Sequence, residues 1–132
     1  MIKTAVYFLV ASSIIWCVTS VDVKEIDRYE SRCPELSKEA RIAHLKLPYF
    51  RPIPRYPADA ARKRIEGYVI FEFDISIGGQ PMNINVLESY PSKTFVKIAE
   101  RNFRGYKFRP TLSNGEAVVS QCHEMKLNFK LE

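Results

Sequence analysis

The chain has 132 residues, a formal net charge of +5 and 46% hydrophobic residues, which is ordinary composition for one globular domain and excludes a multidomain machine. With 27% charged residues beside eight Phe and seven Tyr, the composition also excludes a disordered chain. The modest basic charge does not by itself separate nucleic acid, a membrane surface or an acidic protein as the partner.

Residues 1–20 are predicted to be a secretory signal peptide. Lys3 precedes an uncharged apolar run from Thr4 to Val18, and compact residues lead up to a cleavage site after Ser20. An uncleaved signal anchor is the alternative, because the run approaches the length of a short membrane span. Export to the periplasm is expected in the first case and an inner-membrane anchor facing the periplasm in the second, and both argue against a nucleic-acid partner.

Cleavage after Ser20 removes Cys17 and leaves Cys33 and Cys122 as the cysteines of the mature chain. Two cysteines in an exported chain predict one disulfide, and two free thiols are the alternative. Closing a loop of about 90 residues contributes ~4–5 kcal/mol in the chain-entropy treatment.

Residues 21–47 form a charged lead-in with only a weak helical stripe, and residues 48–132 form the predicted domain. The domain opens with PYFRPIPRYP, whose four prolines exclude a helix and a central strand. Pro57 suits the first turn of a short helix that runs to Glu66, with Gly67 as its stop.

After this helix the hydrophobic period changes to two. Residues 68–77 alternate as a half-buried strand, with an apolar face made of Val69, Phe71, Phe73, Ile75 and Ile77. Gly78 to Pro81 permit a tight reversal, and Met82 to Val86 alternate again. The two strands are therefore predicted to form a β-hairpin.

A second helix is predicted after Pro91, with Ser92 as its N-cap and an apolar stripe of Phe95, Ile98, Ala99, Phe103 and Tyr106. Residues 119–131 alternate as a final strand behind a turn at Asn114. The order of elements predicts an α+β fold: a single domain in which two helices pack on one face of a three-stranded antiparallel sheet. Cys122 has outward phase, so a bridge to Cys33 lays part of the lead-in across the other, polar face.

The sequence predicts no enzyme, no cofactor and no metal site. Ser120 and His123 are three residues apart on the final strand, which places their side chains on opposite faces and argues against a nucleophile–base pair. His44 and His123 lack the short ligand spacing of a metal site. A basic cluster of Arg101, Arg104, Lys107 and Arg109 is interpreted as a solvated surface, and a surface for an acidic partner or anionic lipid is the alternative.

A series of short sequence motifs runs in order through residues 48–132: Arg55-Tyr56-Pro57, Ile65-Glu66-Gly67, Phe73-Asp74-Ile75, Gly79-Gln80-Pro81, Phe108-Arg109-Pro110 and a closing Phe129-Lys130-Leu131. Their order and spacing resemble the C-terminal domain of TonB. The resemblance implies the same α+β sandwich, in the periplasm of a Gram-negative bacterium.

The resemblance also implies a function. Domains of this family bind the TonB box, an extended peptide of outer-membrane TonB-dependent transporters, by pairing it with an edge strand. Carried over by position, the partner-binding residues are Ile53, Pro54, Arg55, Tyr56, Val119, Gln121, His123, Met125, Leu127 and Phe129. Family members commonly have glutamines where this chain has Ile53 and Arg55.

Two alternatives stay open beside this periplasmic binding module. The first is an inner-membrane-anchored energy transducer that works with ExbB–ExbD, although a lead-in of about 27 residues reaches at most ~95 Å, less than the long Pro-rich spacer of the family. The second is a structural or assembly factor that forms a homodimer by edge pairing.

Overall fold

A computed structural model describes residues 25–34 and 46–132, so the predicted signal peptide lies outside the described residues. Within these two ranges no helix is both long and apolar enough to cross a bilayer. The elements in chain order are β1 (Asp27–Arg28), α1 (Ala58–Arg62), β2 (Gly67–Ile75), β3 (Pro81–Tyr90), α2 (Val96–Phe103), β4 (Thr111–Ser113), β5 (Glu116–Val118) and β6 (Ser120–Phe129).

Four strands form one antiparallel sheet in the order β1–β3–β2–β6, and β4 and β5 form a separate two-stranded hairpin. The predicted α+β architecture of two helices with an antiparallel sheet is confirmed. The sheet has four strands instead of three because β1, which is only two residues long, joins the edge of β3. Strands of two or three residues are too short to show a hydrophobic period, so β1, β4 and β5 were missed.

Aromatic side chains fill the space between the sheet and α2. Phe71 stacks on Phe103 with ring centroids 5.1 Å apart, and Phe73 meets the same ring edge-on at 4.7 Å. These rings are fully buried, as the alternation of β2 predicted. Ile77 is 57% exposed because β2 ends two residues earlier, at Ile75.

Helix α1 is shorter than predicted. It ends at Arg62, and the left-handed conformation expected at Gly67 is taken by Arg64, with φ 53°. Gly67 instead opens β2, where a Cβ atom would lie 2.0 Å from the carbonyl oxygen of Tyr90. The close approach of β3, and not the end of a helix, requires this glycine.

The predicted N-cap of the second helix is also wrong. Helix α2 begins at Val96, its N-cap is Phe95, and no side chain caps it. The Ser92 hydroxyl lies 3.0 Å from the Asp27 carboxylate and donates to it, and the Ser92 N–H donates to the carbonyl of Glu25. Ser92 therefore anchors the lead-in, an interaction with no local sequence signal.

A bulge in β6 overturns the predicted separation of Ser120 and His123. Cys122 has φ 62°, and the β2–β6 register shifts between Phe73 and Ile75. The extra residue brings the Ser120 hydroxyl to 2.6 Å from Nε2 of His123, where strict alternation predicted opposite faces. His123 is 3% exposed and its ring lies against Phe73, so the pair is closed to substrate and serves the packing of the strand.

Candidate functional site

Strand β6 is an open edge of the sheet. It pairs with β2 on one side, and in the described part of the chain no strand pairs with its other side. The opposite edge, on β3, is covered in part because β1 pairs with Glu88 and Ser89. The N–H and C=O groups of an unpaired edge can bond another extended segment. The ten-residue β6 therefore has the geometry of a strand acceptor.

The hydrogen bonds between β1 and β3 show which backbone groups of β2 face β3 and which face β6. The N–H of Tyr29 donates to the carbonyl of Leu87 at 2.9 Å, so the backbone groups of Leu87 face β1. In an antiparallel ladder residues two apart face the same side, so Ser89 also faces β1. Val69 pairs with Ser89 and consequently directs its own backbone groups toward β6.

The same alternation identifies the outward-facing groups of β6. Val69 is opposite Leu127, so the backbone groups of Leu127 bond β2. Its neighbours Lys126 and Asn128 direct their N–H and C=O groups away from β2, to the open side. Both residues are exposed, so their outward backbone groups are accessible to an additional strand.

Most of the strand residues expected to bind a partner turn their side chains into the core: His123, Leu127 and Phe129 are buried, and Met125 packs against the buried cluster. Gln121 is exposed, and Val119, just before β6, is 42% exposed. The outward backbone groups belong to Lys126 and Asn128, which sequence reasoning missed. Alternation tells which residues share a face, but only the sheet register tells which of them bond the neighbour.

The segment Ile53–Tyr56, here called the flank, lies beside the end of β6. The Tyr56 ring packs edge-on against Phe129, with centroids 6.1 Å apart, and its hydroxyl donates to the carbonyl of Ile65. The side chain of Ile53 is 93% exposed, and Arg55 is exposed as well. The flank therefore offers exposed side chains to a binding partner, whereas the edge of β6 offers backbone N–H and C=O groups.

Residues 25–34, here called the strap, run across the outer face of the sheet. A disulfide joins Cys33 to Cys122 of β6, with Cα atoms 5.8 Å apart. The Ser31 hydroxyl donates to Glu72 at 2.6 Å, and the Arg32 guanidinium pairs with Asp74 at 3.0 Å. Both carboxylates are only 2% exposed, so the strap covers this polar face, as expected for a bridge between Cys33 and Cys122.

The two covered carboxyl groups have lowered pKa values. Burial by itself raises the pKa of Glu72, but hydrogen bonds from Ser31, from the Arg32 N–H and from Asn85 outweigh it. Burial likewise raises the pKa of Asp74, and hydrogen bonds from neighbouring groups together with the charge of Arg32 bring it below its ordinary value. A pKa that is lower in the folded state contributes stability above the unfolded pKa, and this contribution is lost as the pH falls through the folded value.

We therefore expect the free energy of unfolding to decline as the pH falls below the unfolded-state values of 4.5 for Glu72 and 3.8 for Asp74. Urea unfolding between neutral pH and about pH 3 measures this decline. Glu72→Gln should flatten the pH dependence, whereas the exposed control Glu116→Gln should leave it unchanged. Equal slopes for the two variants would contradict the assignment.

The comparisons with known proteins agree on one family. Residues 52–131 match the family described as the Gram-negative bacterial TonB protein C-terminal. The chain is 37% identical over 79 residues to TonB of Pseudomonas aeruginosa, which is 60% of this chain and 23% of that protein. It is 31% identical over 67 residues to TonB of Escherichia coli K12, which is 51% of this chain and 28% of that protein.

Two solved structures are similar to this chain. The solution NMR structure of the Pseudomonas aeruginosa TonB CTD superposes with a TM-score of 0.56 at 32% identity, covering 65% of this chain and 86% of that one. The structure titled molecular characterization of the TonB2 protein from Vibrio anguillarum superposes with a TM-score of 0.51 at 24% identity, covering 80% and 99%, and shows the fold alone.

Two helices with an antiparallel sheet that ends in an open edge strand define a small α+β domain with an unpaired strand edge. The chain belongs to the TonB C-terminal domain family, because the family match spans residues 52–131. Its matched part corresponds to about a quarter of the length of the TonB relatives just described. The flank and β6 lie inside the matched range, whereas the strap lies outside it.

Proposed function

We propose that this chain is a periplasmic, non-enzymatic binding module of TonB-dependent transport that captures extended peptide segments of outer-membrane transporters. The segment adds to β6 as a further strand. The observation that carries the proposal is the open side of β6, where the backbone groups of Lys126 and Asn128 point outward. Family membership supports the transport setting.

In binding by strand addition, β6 and the flank have different roles in recognition. Main-chain hydrogen bonds to β6 supply affinity that any extended segment without proline can use. The side chains of the flank supply selectivity, because Ile53 and Arg55 are exposed and their neighbour Tyr56 packs on Phe129 at the end of β6. Since the family commonly has glutamines there, we propose that this chain prefers a different segment from the ordinary TonB box.

Asn128→Pro is expected to weaken binding of a synthetic TonB-box peptide about tenfold or more, because it removes an outward donor and places a ring against the incoming strand. Fluorescence anisotropy with a labelled peptide measures the dissociation constant. Proline is tolerated at an outward position of an edge strand, so the variant should stay folded.

Asn128→Ala is the matched control, since it removes the same side chain and keeps the N–H. Circular dichroism and thermal unfolding check that both variants are folded. If the folded proline variant binds the peptide as well as the alanine variant does, the peptide does not pair with β6.

The open edge is also able to pair with β6 of a second copy, which would make the chain an edge-paired dimer. Sedimentation of the wild-type protein and of Asn128→Pro distinguishes this use. A wild-type dimer that the proline variant converts to a monomer, without peptide binding by either protein, supports the dimer in place of the transporter-binding module.

A further inference from the structure

A cleft of about 300 Å³ lies between the flank and α2. Ile53 and Arg55 line one wall, and Ile98, Arg101 and Asn102 line the other. The side-chain N–H of Asn102 donates to the carbonyl of Pro52 at 3.0 Å, which holds the two walls together. The cleft shares Ile53 and Arg55 with the flank, and its lining includes no residue of β6 or the strap.

The two segments beside this cleft carry basic residues and no acidic ones, and Glu100 of α2 adjoins Arg101 in sequence. The segments 46–57 and 101–115 contain no Asp or Glu, and their charged residues are Lys46, Arg51, Arg55, Arg101, Arg104, Lys107 and Arg109. Backbone hydrogen bonds between Phe50 and Lys107 hold the two segments side by side. The two paired segments carry seven positive charges, of which Arg55 and Arg101 line the cleft, and this charge favours a negatively charged occupant.

The two arginines on the cleft walls are available to such an occupant. Neither Arg55 nor Arg101 forms an ion pair with any residue in the described ranges. A guanidinium group presents a planar set of donors that matches a carboxylate, so arginine suits the recognition of acidic side chains.

The rest of the lining is suited to a peptide. Ile53 is 93% exposed and Ile98 is half-buried, and together they offer an apolar surface between the arginines. The Asn102 side-chain oxygen is buried and accepts no hydrogen bond within the described residues. A walled cleft that combines apolar contact, guanidinium groups and an amide fits a peptide better than it fits a flat bilayer.

We propose that this cleft, here called the arginine cleft, binds an acidic peptide segment of a protein partner. A carboxylate of the segment lies between Arg55 and Arg101, and an apolar side chain lies against Ile53 and Ile98. This inference rests on the proposed function and deepens it, because it names carboxylate and apolar side chains as the features that the flank, together with α2, selects in a bound segment.

Two labelled decapeptides test the proposal, one of alternating Leu and Glu and one of alternating Leu and Gln. Both are able to add to β6, but only the first carries carboxylates. The wild-type chain should bind the acidic peptide about tenfold more tightly at low salt. Arg55→Glu/Arg101→Glu should abolish this preference by weakening the acidic peptide by a much larger factor than the neutral one. Asn128→Pro should weaken both peptides by the same factor, so failure of the edge and failure of the cleft are distinguishable.

The matched control is Lys63→Glu/Lys93→Glu, which makes the same change in net charge at exposed residues outside the cleft. If the control abolishes the preference as completely as the cleft variant does, general charge attraction explains it and the arginine cleft is wrong. The proposal also fails if the wild-type chain shows no preference for the acidic peptide, or if it binds phosphatidylglycerol vesicles through Arg55 and Arg101 instead. Ile53→Ala removes an exposed side chain at little cost to folding. It should weaken binding of both peptides, by a smaller factor than the arginine variant weakens binding of the acidic peptide.

Discussion

Cys33→Ser is expected to lower the free energy of unfolding by about 3–5 kcal/mol. The disulfide joins residues 89 positions apart, so it closes most of the described chain into one loop and strongly restricts the unfolded ensemble. It also fixes the end of the strap, whose Ser31 and Arg32 donate hydrogen bonds to Glu72 and Asp74. Without the bridge, only non-covalent contacts hold the strap over these buried carboxylates, so the strap is free to move away from them.

Urea unfolding at neutral pH, with and without a reductant, measures this contribution. The reduced wild-type protein should unfold at the same urea concentration as Cys33→Ser, and the reductant should not affect the variant. Ser31→Ala is a useful comparison because it removes one contact of the strap and keeps the bridge, so its loss should be smaller, about 1–2 kcal/mol. A change of less than about 1 kcal/mol on reduction would show that the bridge does not restrain the unfolded chain as expected.

Phe103→Ala is expected to lower the free energy of unfolding by about 3–5 kcal/mol. The ring is fully buried, and it contacts Phe71 and Phe73 of β2 as well as Tyr106, with centroids about 5 Å apart in each case. Since one side chain connects α2 to the centre of the sheet, alanine leaves a cavity that the surrounding rings cannot fill without moving.

Thermal and urea unfolding give the size of this loss. Phe103→Leu should cost less, because it fills part of the space, and Phe50→Ala should cost little, because that side chain is 48% exposed. Helix α2 also carries Arg101 and Asn102, so a loosened α2 should weaken binding at the arginine cleft as well. If Phe103→Ala and Phe50→Ala destabilise the protein equally, the aromatic cluster is not the main contact between helix and sheet.

The hydrophobic pattern predicted the three long strands of the sheet and the helix that packs on it. The alternation of Val69, Phe71 and Phe73 identified β2 and its buried face, and the stripe from Phe95 to Phe103 identified the face of α2. Such patterns are reliable because each element must bury one face to be stable. The order of these elements was enough to predict the α+β class.

Helix ends and local conformations were predicted less well. Ser92 and Gly67 have the right chemistry for a helix cap and a helix stop, but Ser92 bonds the lead-in and Gly67 lies under the carbonyl of Tyr90. In both cases a contact between residues far apart in sequence replaces the local preference. The bulge at Cys122, which brings Ser120 to His123, has the same origin, since an extra residue in a strand leaves no mark in composition.

The sequence by itself determined the class of fold, the faces that form the core, Cys33 and Cys122 as candidates for a disulfide, and the resemblance to the TonB C-terminal family. Only the tertiary structure decided which backbone groups of β6 point outward, because that depends on the register of three neighbouring strands. It also decided that the strap covers Glu72 and Asp74, and that Arg55 and Arg101 face one cleft. Side-chain periodicity is a local property of the chain, whereas the open edge and the arginine cleft are made by residues that only folding brings together.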